Sequence, residues 1–191
     1  MGVLPVLTRA DDTMTRTLLG GGFAAALAIG VAFGGAATAS AQTDWSTLPI
    51  NPNEVIDSTA FVAETPSLNP GGQPGVLAVF THRDGTRTVS DSIAVLPTPQ
   101  AATDAMNQER ATQGGLIAAP VITPSPAGTG GSISSGKSPD GTRSLAVLTF
   151  TEGDTFTVVE FEGPANDPVP LDVVNEYGQR QAGAIRAAQA G

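Results

Sequence analysis

Alternating apolar and polar positions between residues 76 and 96 predict a β-hairpin. The first arm, 76–81, is mainly apolar, and in the second arm, 86–96, Val89 and Ile93 alternate with serines. Asp84-Gly85 lies between the arms, and an Asp-Gly pair between two such runs is a strong hairpin signal.

Three further strands are expected in the C-terminal half of the chain, near residues 132–136, 143–151 and 155–162. Glycine-containing sequences at 140–141 and 152–154 supply the turns between them. Residues 145–150 are apolar at both odd and even positions, which is typical of a central strand buried on both faces. Residues 120–131 are expected to form a loop or an edge strand, because their prolines cannot donate a ladder hydrogen bond.

Two helices are expected beside these strands. Thr98 is placed to cap the first helix, with Pro99 at its first position, and Gly114-Gly115 ends it. Its apolar positions keep helical spacing at Ala102, Ala105 and Met106. The second helix is expected from Pro168 or Pro170 to about Ala188, with a buried stripe formed by Leu171, Val174, Tyr177 or Gly178, and Ile185.

The predicted elements follow the order β-β-α-β-β-β-α, which indicates an α+β fold with an antiparallel sheet covered by two helices. Residues 76–191 are expected to form this single domain. Residues 42–75 precede it as a separate segment, in which Asn51 and Pro52 are placed to begin one helical turn. Residues 42–191 together have about the usual size of one domain.

The first 41 residues have the pattern of a secretory signal peptide. Residues 18–35 are uncharged and largely apolar, and Ala39-Ser40-Ala41 precedes Gln42 as an A-x-A cleavage site. We therefore expect cleavage between Ala41 and Gln42 and a secreted or cell-envelope location. The alternative is retention as a membrane anchor, since about 18 uncharged residues can span a bilayer. The glycines of this run weaken it as a spanning helix.

Translation is expected to begin at Met14 and not at Met1. Residues 1–13 contain Asp11 and Asp12, and acidic residues are out of place in the basic first part of a signal peptide. N-terminal sequencing of the protein from culture supernatant should therefore give Gln42 first, and unprocessed chains should contain no peptide with Asp11. A mature peptide that spans residues 41 and 42 would contradict the cleavage prediction.

Charge and composition restrict the partners of the exported part. The chain has a net charge of −9, and all of it lies after residue 41 because Arg9 and Arg16 balance Asp11 and Asp12. An acidic surface repels nucleic acid and anionic lipid headgroups. We expect no nucleic-acid partner, and a membrane partner only if the signal segment is retained. The chain has no cysteine, which excludes disulfides, thiolate metal sites and a lipidated N-terminal cysteine.

Residues 131–138 contain a complete P-loop string, in which Gly131 is followed after four residues by Gly136-Lys137-Ser138. In a P-loop, such residues bind phosphate at the start of a helix. Here Pro139-Asp140-Gly141 comes next, which predicts a turn. We therefore expect no nucleotide, no cofactor and a solvated Lys137.

Catalytic and metal-binding arrangements are weak in this sequence. His82 is the sole histidine, and a hydrolase would have to combine it with a serine and with Asp84 or Asp91. Glu160 and Glu162 project from one strand face, which we interpret as solvated, with weak cation binding or a glycosidase pair as alternatives. We expect no catalytic residue and no metal site.

The C-terminal helix carries the one candidate ligand-binding position. Gly178 and Gly183 lie in its interior, where glycine costs roughly 1 kcal/mol relative to alanine, so they call for a reason. Close packing on the sheet is one reason and a binding groove is the other. If a groove exists, Tyr177 is its expected lining residue, because its ring is amphipathic.

Four stretches have the character of a known family: residues 94–98 leading into 101–102, the hairpin from 148 to 159, the terminal helix, and residues 48–55 as a short helical beginning. In these the chain resembles the extracellular sensor domains of mycobacterial serine/threonine kinases and related small actinobacterial lipoproteins with a Mog1/PsbP-like fold. The resemblance implies a binding-type fold without assigned catalytic residues. Sensor domains of that kind usually carry disulfides, which this chain cannot form, so a signalling role is not implied.

We therefore expect an exported, non-catalytic binding domain whose partner is a small molecule, a lipid or an envelope protein. The alternatives are a secreted hydrolase that uses His82 and a serine, and a structural or antigen-like surface protein. A deep apolar pocket would favour binding, whereas His82 within hydrogen-bond distance of a serine would favour hydrolysis.

Overall fold

A computed structural model describes residues 44–56 and 59–190. The expected signal peptide, its cleavage site at Ala41 and Gln42, and the start at Met14 lie outside these residues. None of the described helices is long and apolar enough to cross a membrane.

The described residues form eight strands: β1 (Phe61–Ala63), β2 (Ser67–Leu68), β3 (Gly75–His82), β4 (Thr88–Val95), β5 (Ala118–Pro124), β6 (Thr129–Lys137), β7 (Arg143–Glu152) and β8 (Thr155–Pro164). They make one antiparallel sheet in the order β1-β3-β4-β8-β7-β6-β5, and β2 also pairs with β3. β7 lies inside the sheet between β8 and β6, which agrees with its two apolar faces.

Two turns of the same sequence, Asp-Gly-Thr-Arg, close hairpins at one end of the sheet. In the β3–β4 turn, Asp84 Oδ1 accepts hydrogen bonds from the N–H and the hydroxyl of Thr86 at 2.8 and 2.7 Å. In the β6–β7 turn, Asp140 Oδ1 accepts the same two bonds from Thr142 at 3.0 and 2.9 Å. The glycine in each turn has a φ of 71°, a conformation that only glycine adopts without strain.

Two helices cover opposite faces of the sheet. α1 is Pro99–Thr112, capped by Thr98, and α2 is Leu171–Ala190. Val147 of β7 packs in the hydrophobic cluster under α1, whereas its neighbours Ala146 and Leu148 pack in the cluster under α2. Because successive side chains of a strand point to opposite faces, the helices must lie on opposite sides. The predicted α+β fold with an antiparallel sheet is confirmed at this level.

The sequence pattern does not predict β1 and β2, which come from residues 42–75. These strands have 3 and 2 residues, too few to show an alternation. β5 is the edge strand that residues 120–131 allowed, and its Val121 and Ile122 are 64% and 70% exposed. The expected turn after Asn51 is present as a short 3-10 helix, Pro52–Glu54.

Candidate functional site

A cleft of about 490 Å³ opens on the α1 side of the sheet. One wall is made by Gly115 and Leu116, which follow α1, and the opposite wall is the β6–β7 turn, residues 138–143. The floor is formed by side chains of β7 and β8: Leu145, Glu160 and Glu162. Its volume lies in the range of roughly 300–1,000 Å³ that is usual for small-molecule sites.

The wall that follows α1 is fixed to the sheet by two polar side chains. Arg110 donates from Nε to the hydroxyl of Thr149 at 3.0 Å and from Nη2 to the carbonyl of Gly130. Gln113 is 3% exposed and accepts a hydrogen bond from the hydroxyl of Ser134 at 2.6 Å. These contacts hold the end of α1 over β6 and β7, so this wall of the cleft has a defined position.

The opposite wall carries a carboxylate at the rim of the cleft. Besides its two bonds to Thr142, Asp140 Oδ1 accepts a hydrogen bond from the hydroxyl of Ser138 at 2.5 Å. The Ser138 bond, followed by those of Thr142, lowers the pKa of Asp140. The group is therefore ionised at neutral pH.

Arg143 connects the floor of the cleft to both turns. Its Nε lies 2.7 Å from Glu162 Oε1, and its Nη2 donates to the carbonyl of Thr86 at 3.4 Å. The ion pair balances the charge of Glu162. The planar guanidinium carries five N–H donors, so it adds donor capacity to a floor that is otherwise acidic.

Glu160 is the chemically distinctive residue of the cleft. Burial, followed by the negative charges of Glu162 and Glu109, raises the pKa of Glu160 to about 7. Burial also raises the pKa of Glu109, which lies on α1. A carboxyl group with such a pKa is protonated in a large share of molecules at neutral pH, and in that form it donates a hydrogen bond.

The groups that line the cleft are suited to a small polar molecule. Among the described residues, no group of three or more histidine, aspartate and glutamate side chains is placed to hold a metal. The cleft instead offers a protonatable carboxyl at Glu160, a carboxylate at Asp140 and a guanidinium at Arg143, beside the apolar Leu116 and Leu145. Glu160 is only partly solvated, in contrast to the sequence interpretation, because it is half-buried in the floor of the cleft.

His82 does not meet a serine within the described ranges. Its Nδ1 lies 2.6 Å from Asp84 Oδ1, and its ring packs edge-on against Phe61 with centroids 5.3 Å apart. Asp91, the other candidate acid, bonds instead to Tyr177 on the α2 side of the sheet. His82 therefore stabilises the β3–β4 turn, and the hydrolase alternative has no geometric support.

Tyr177 lies in the core between α2 and the sheet and does not line an open groove. Its ring is 0% exposed, and its hydroxyl lies 3.0 Å from Asp91 Oδ2 and 3.1 Å from the carbonyl of Ile50. The neighbouring Gly178 lets α2 approach β7 closely, since a Cβ at this position would lie 2.5 Å from Leu148 Cδ2. Packing fills the space where the groove was expected, so the structure corrects the assignment of Tyr177 as a ligand-lining residue.

The P-loop string lies on β6 and on the turn that follows it. Residues 132–137 pair with both β5 and β7, so the backbone of this stretch is engaged in the sheet. A turn, and not a helix, follows the exposed Lys137. The phosphate-binding geometry of a P-loop is therefore not formed here.

Two other depressions are less suited to a polar ligand. One, of about 260 Å³, lies beside Trp45 and Ile185. The other, of about 450 Å³, lies at the start of α2 and is lined mainly by apolar residues, among them Val121, Pro168, Val169, Pro170 and Leu171. The second depression is lined by no carboxyl group, and in the first the hydrogen bonds from Ser46 lower the pKa of Asp44.

The sequence analysis identifies Glu160 and Glu162 as neighbours on one strand face but misses the rest of the cleft. Asp140 is recognised only as a residue of a turn, and Arg143 only as the start of a strand. Leu116 is not singled out, because no local pattern signals that the residues after α1 lie opposite that turn. The walls come from parts of the chain that only the folded sheet brings together.

The chain matches no protein-family model, and no curated protein matches it. Among solved structures, it is similar to the extracellular domain of PknH from Mycobacterium tuberculosis, with 12% sequence identity and a TM-score of 0.51. The match covers 76% of this chain and 94% of that domain. At this identity the likeness shows a shared fold, and it agrees with the resemblance to extracellular domains of mycobacterial kinases.

Proposed function

We propose that this protein is an exported, non-catalytic binding domain and that its ligand, a small polar molecule, occupies the cleft between the residues after α1 and the β6–β7 turn. The observation that carries the proposal is Glu160, a partly buried carboxyl group with a pKa of about 7 inside a cleft of ligand size. Placing an ionisable group out of water lowers the stability of the fold. A ligand that accepts a hydrogen bond from the protonated Glu160 would offset this destabilisation.

Two observations support export and binding over catalysis. The signal-peptide pattern and the fold shared with an extracellular kinase domain favour a location outside the cell. Within the cleft, the second carboxylate, Glu162, is paired with Arg143 at 2.7 Å, which disfavours a role as base or nucleophile. His82, the other candidate base, contacts Asp84, so the polar groups of the cleft favour recognition over catalysis.

Native mass spectrometry of the protein purified from culture supernatant tests the proposal. Gly115→Trp is the variant of choice, because Gly115 lines the cleft and a Cβ there meets no atom within 4 Å. The substitution therefore causes no clash at its Cβ, and the bulky ring is expected to fill part of the cleft. Wild-type protein is expected to retain a non-covalent small-molecule adduct that Gly115→Trp loses.

Gly114→Trp provides the matched control. Gly114 is the preceding residue of the same turn, a Cβ there also meets no atom within 4 Å, and it does not line the cleft. This variant is expected to keep the adduct. An adduct retained equally by Gly115→Trp, or absent from wild-type protein, would contradict the proposal.

A further inference from the structure

Residues 44–56, here called the N-terminal strap, lie against α2 on the side of the sheet opposite the cleft. Gln181 of α2 holds the strap at two points, accepting from the N–H of Ile50 at 2.8 Å and donating to the carbonyl of Leu48 at 2.9 Å. Leu48 is buried in the core cluster, and Trp45 packs against it. The strap therefore covers part of the core beneath α2.

A third point of attachment passes through Tyr177. Its hydroxyl lies 3.1 Å from the carbonyl of Ile50 and 3.0 Å from Asp91 Oδ2. Asp91 is 0% exposed, and its other oxygen, Oδ1, has no hydrogen-bond partner among the described residues. One phenolic group thus bridges the strap and a fully buried acid of β4.

The hydrogen bonds of Tyr177 to Asp91 and to Ile50 can both form in only one charge state of Asp91. A phenol has a single proton to donate. If Asp91 is protonated, Asp91 donates to the oxygen of Tyr177, and Tyr177 donates to the carbonyl of Ile50. If Asp91 is ionised, both neighbours of Tyr177 are acceptors, and the charge-assisted bond to the carboxylate is the stronger one. The carbonyl of Ile50 then loses its donor.

We propose that Asp91 and Tyr177 form a proton-operated latch, which holds the N-terminal strap against α2 when Asp91 is protonated and loosens it when Asp91 is ionised. The latch is independent of the proposed ligand cleft, which lies on the other face of the sheet. Acid conditions therefore tighten the attachment of the strap at Ile50, and neutral to alkaline conditions loosen it.

The surroundings of Asp91 place the transition near neutrality. Its cross-strand neighbours are Ala78 on β3 and Val159 on β8, both apolar. The ionisable groups on the other packed elements are Tyr177 of α2 and Glu54 of the strap, whose charge acts on Tyr177. Burial raises the pKa of Asp91 to about 7, opposed only by the hydrogen bond from Tyr177.

Trp45 reports the state of the latch, because it is the only tryptophan of the chain and lies within the strap. Acrylamide quenching of its fluorescence should increase in wild-type protein between pH 5 and pH 9, with a midpoint near 7. The protection of the Ile50 N–H against hydrogen exchange should fall about fivefold to tenfold over the same interval. This factor corresponds to the free energy of one hydrogen bond. The exchange is compared between variants at each pH, which removes the intrinsic pH dependence.

Asp91→Asn is the decisive variant, since the amide donates to Tyr177 as the protonated acid does but does not titrate. It should keep Trp45 protected throughout. Tyr177→Phe should expose Trp45 at every pH and serves as the test if Asp91→Asn fails to fold.

Glu160→Gln is the control, because it removes the other carboxyl with a pKa of about 7, and it should retain the wild-type transition. A transition that persists in Asp91→Asn or Tyr177→Phe, vanishes in Glu160→Gln, or is missing from wild-type protein would overturn the proposal.

Discussion

Gly178→Leu is expected to lower the free energy of unfolding by about 3 kcal/mol, or to prevent folding, because it overfills the interface between α2 and β7. A Cβ at this position would lie 2.5 Å from Leu148 Cδ2 and 2.7 Å from the Cβ of Ala127. Leu148 is 0% exposed in the middle of the sheet and Ala127 is equally buried. Both side chains are therefore enclosed by the core that the added leucine would have to displace.

Gly183→Leu is the matched control in the same helix. A Cβ at Gly183 meets no atom within 4 Å, and leucine is the better helix former by roughly 0.5–1 kcal/mol. Urea denaturation should therefore place the Gly183→Leu midpoint at or above that of wild-type protein and the Gly178→Leu midpoint far below it. Equal stability of the two variants would mean that α2 leaves a groove at Gly178 after all.

Asp91→Asn is expected to stabilise the protein at neutral and alkaline pH, by an amount on the order of 4 kcal/mol. Burial raises the pKa of Asp91 from 3.8 to about 7 in the folded state. Below pH 3.8 the folded and unfolded states both hold the proton. Between pH 3.8 and 7 only the folded state holds it, so stability falls as pH rises, and above pH 7 the loss is constant.

Denaturation curves of wild-type protein and Asp91→Asn, measured from pH 4 to pH 8, test this expectation. The difference between the two isolates Asp91 from the other acids, of which Glu160 has a raised pKa and Asp140 a lowered one. The stability difference should grow with pH and level off above 7. A difference that is independent of pH would show that Asp91 is ionised in the folded protein throughout this range.

The parts of the fold that depend on local patterns are predictable from the sequence. Each of three features is determined by a stretch of about ten residues: the Asp84-Gly85 turn, the helix cap at Thr98 and the run in β7 that is apolar on both faces. β1 and β2 escape prediction because they are strands only through their pairing with β3. Their residues carry no alternation of their own.

The sequence does contain a signal for the burial of Asp91, which the interpretation of residues 76–96 as a hairpin does not use. Asp91 has the same parity as Val89 and Ile93, so a period of two places its side chain on the apolar face of β4. The structure puts it there, at 0% exposure. Its partner Tyr177 is 86 residues away along the chain, and no local pattern connects the two. The cleft cannot be predicted from local patterns for the same reason, since its walls come together only in the folded sheet.

The most direct test of the proposed binding role is a two-dimensional amide NMR spectrum of the purified protein, recorded with and without the small-molecule fraction of the medium in which its host is grown. The account predicts that chemical-shift changes cluster at the cleft, at Leu116, Thr142 and Glu160, and that Gly115→Trp abolishes them. Changes confined to the surroundings of Trp45 or Val169, or a spectrum that the fraction leaves unaltered, would contradict the assignment of this cleft as the ligand site.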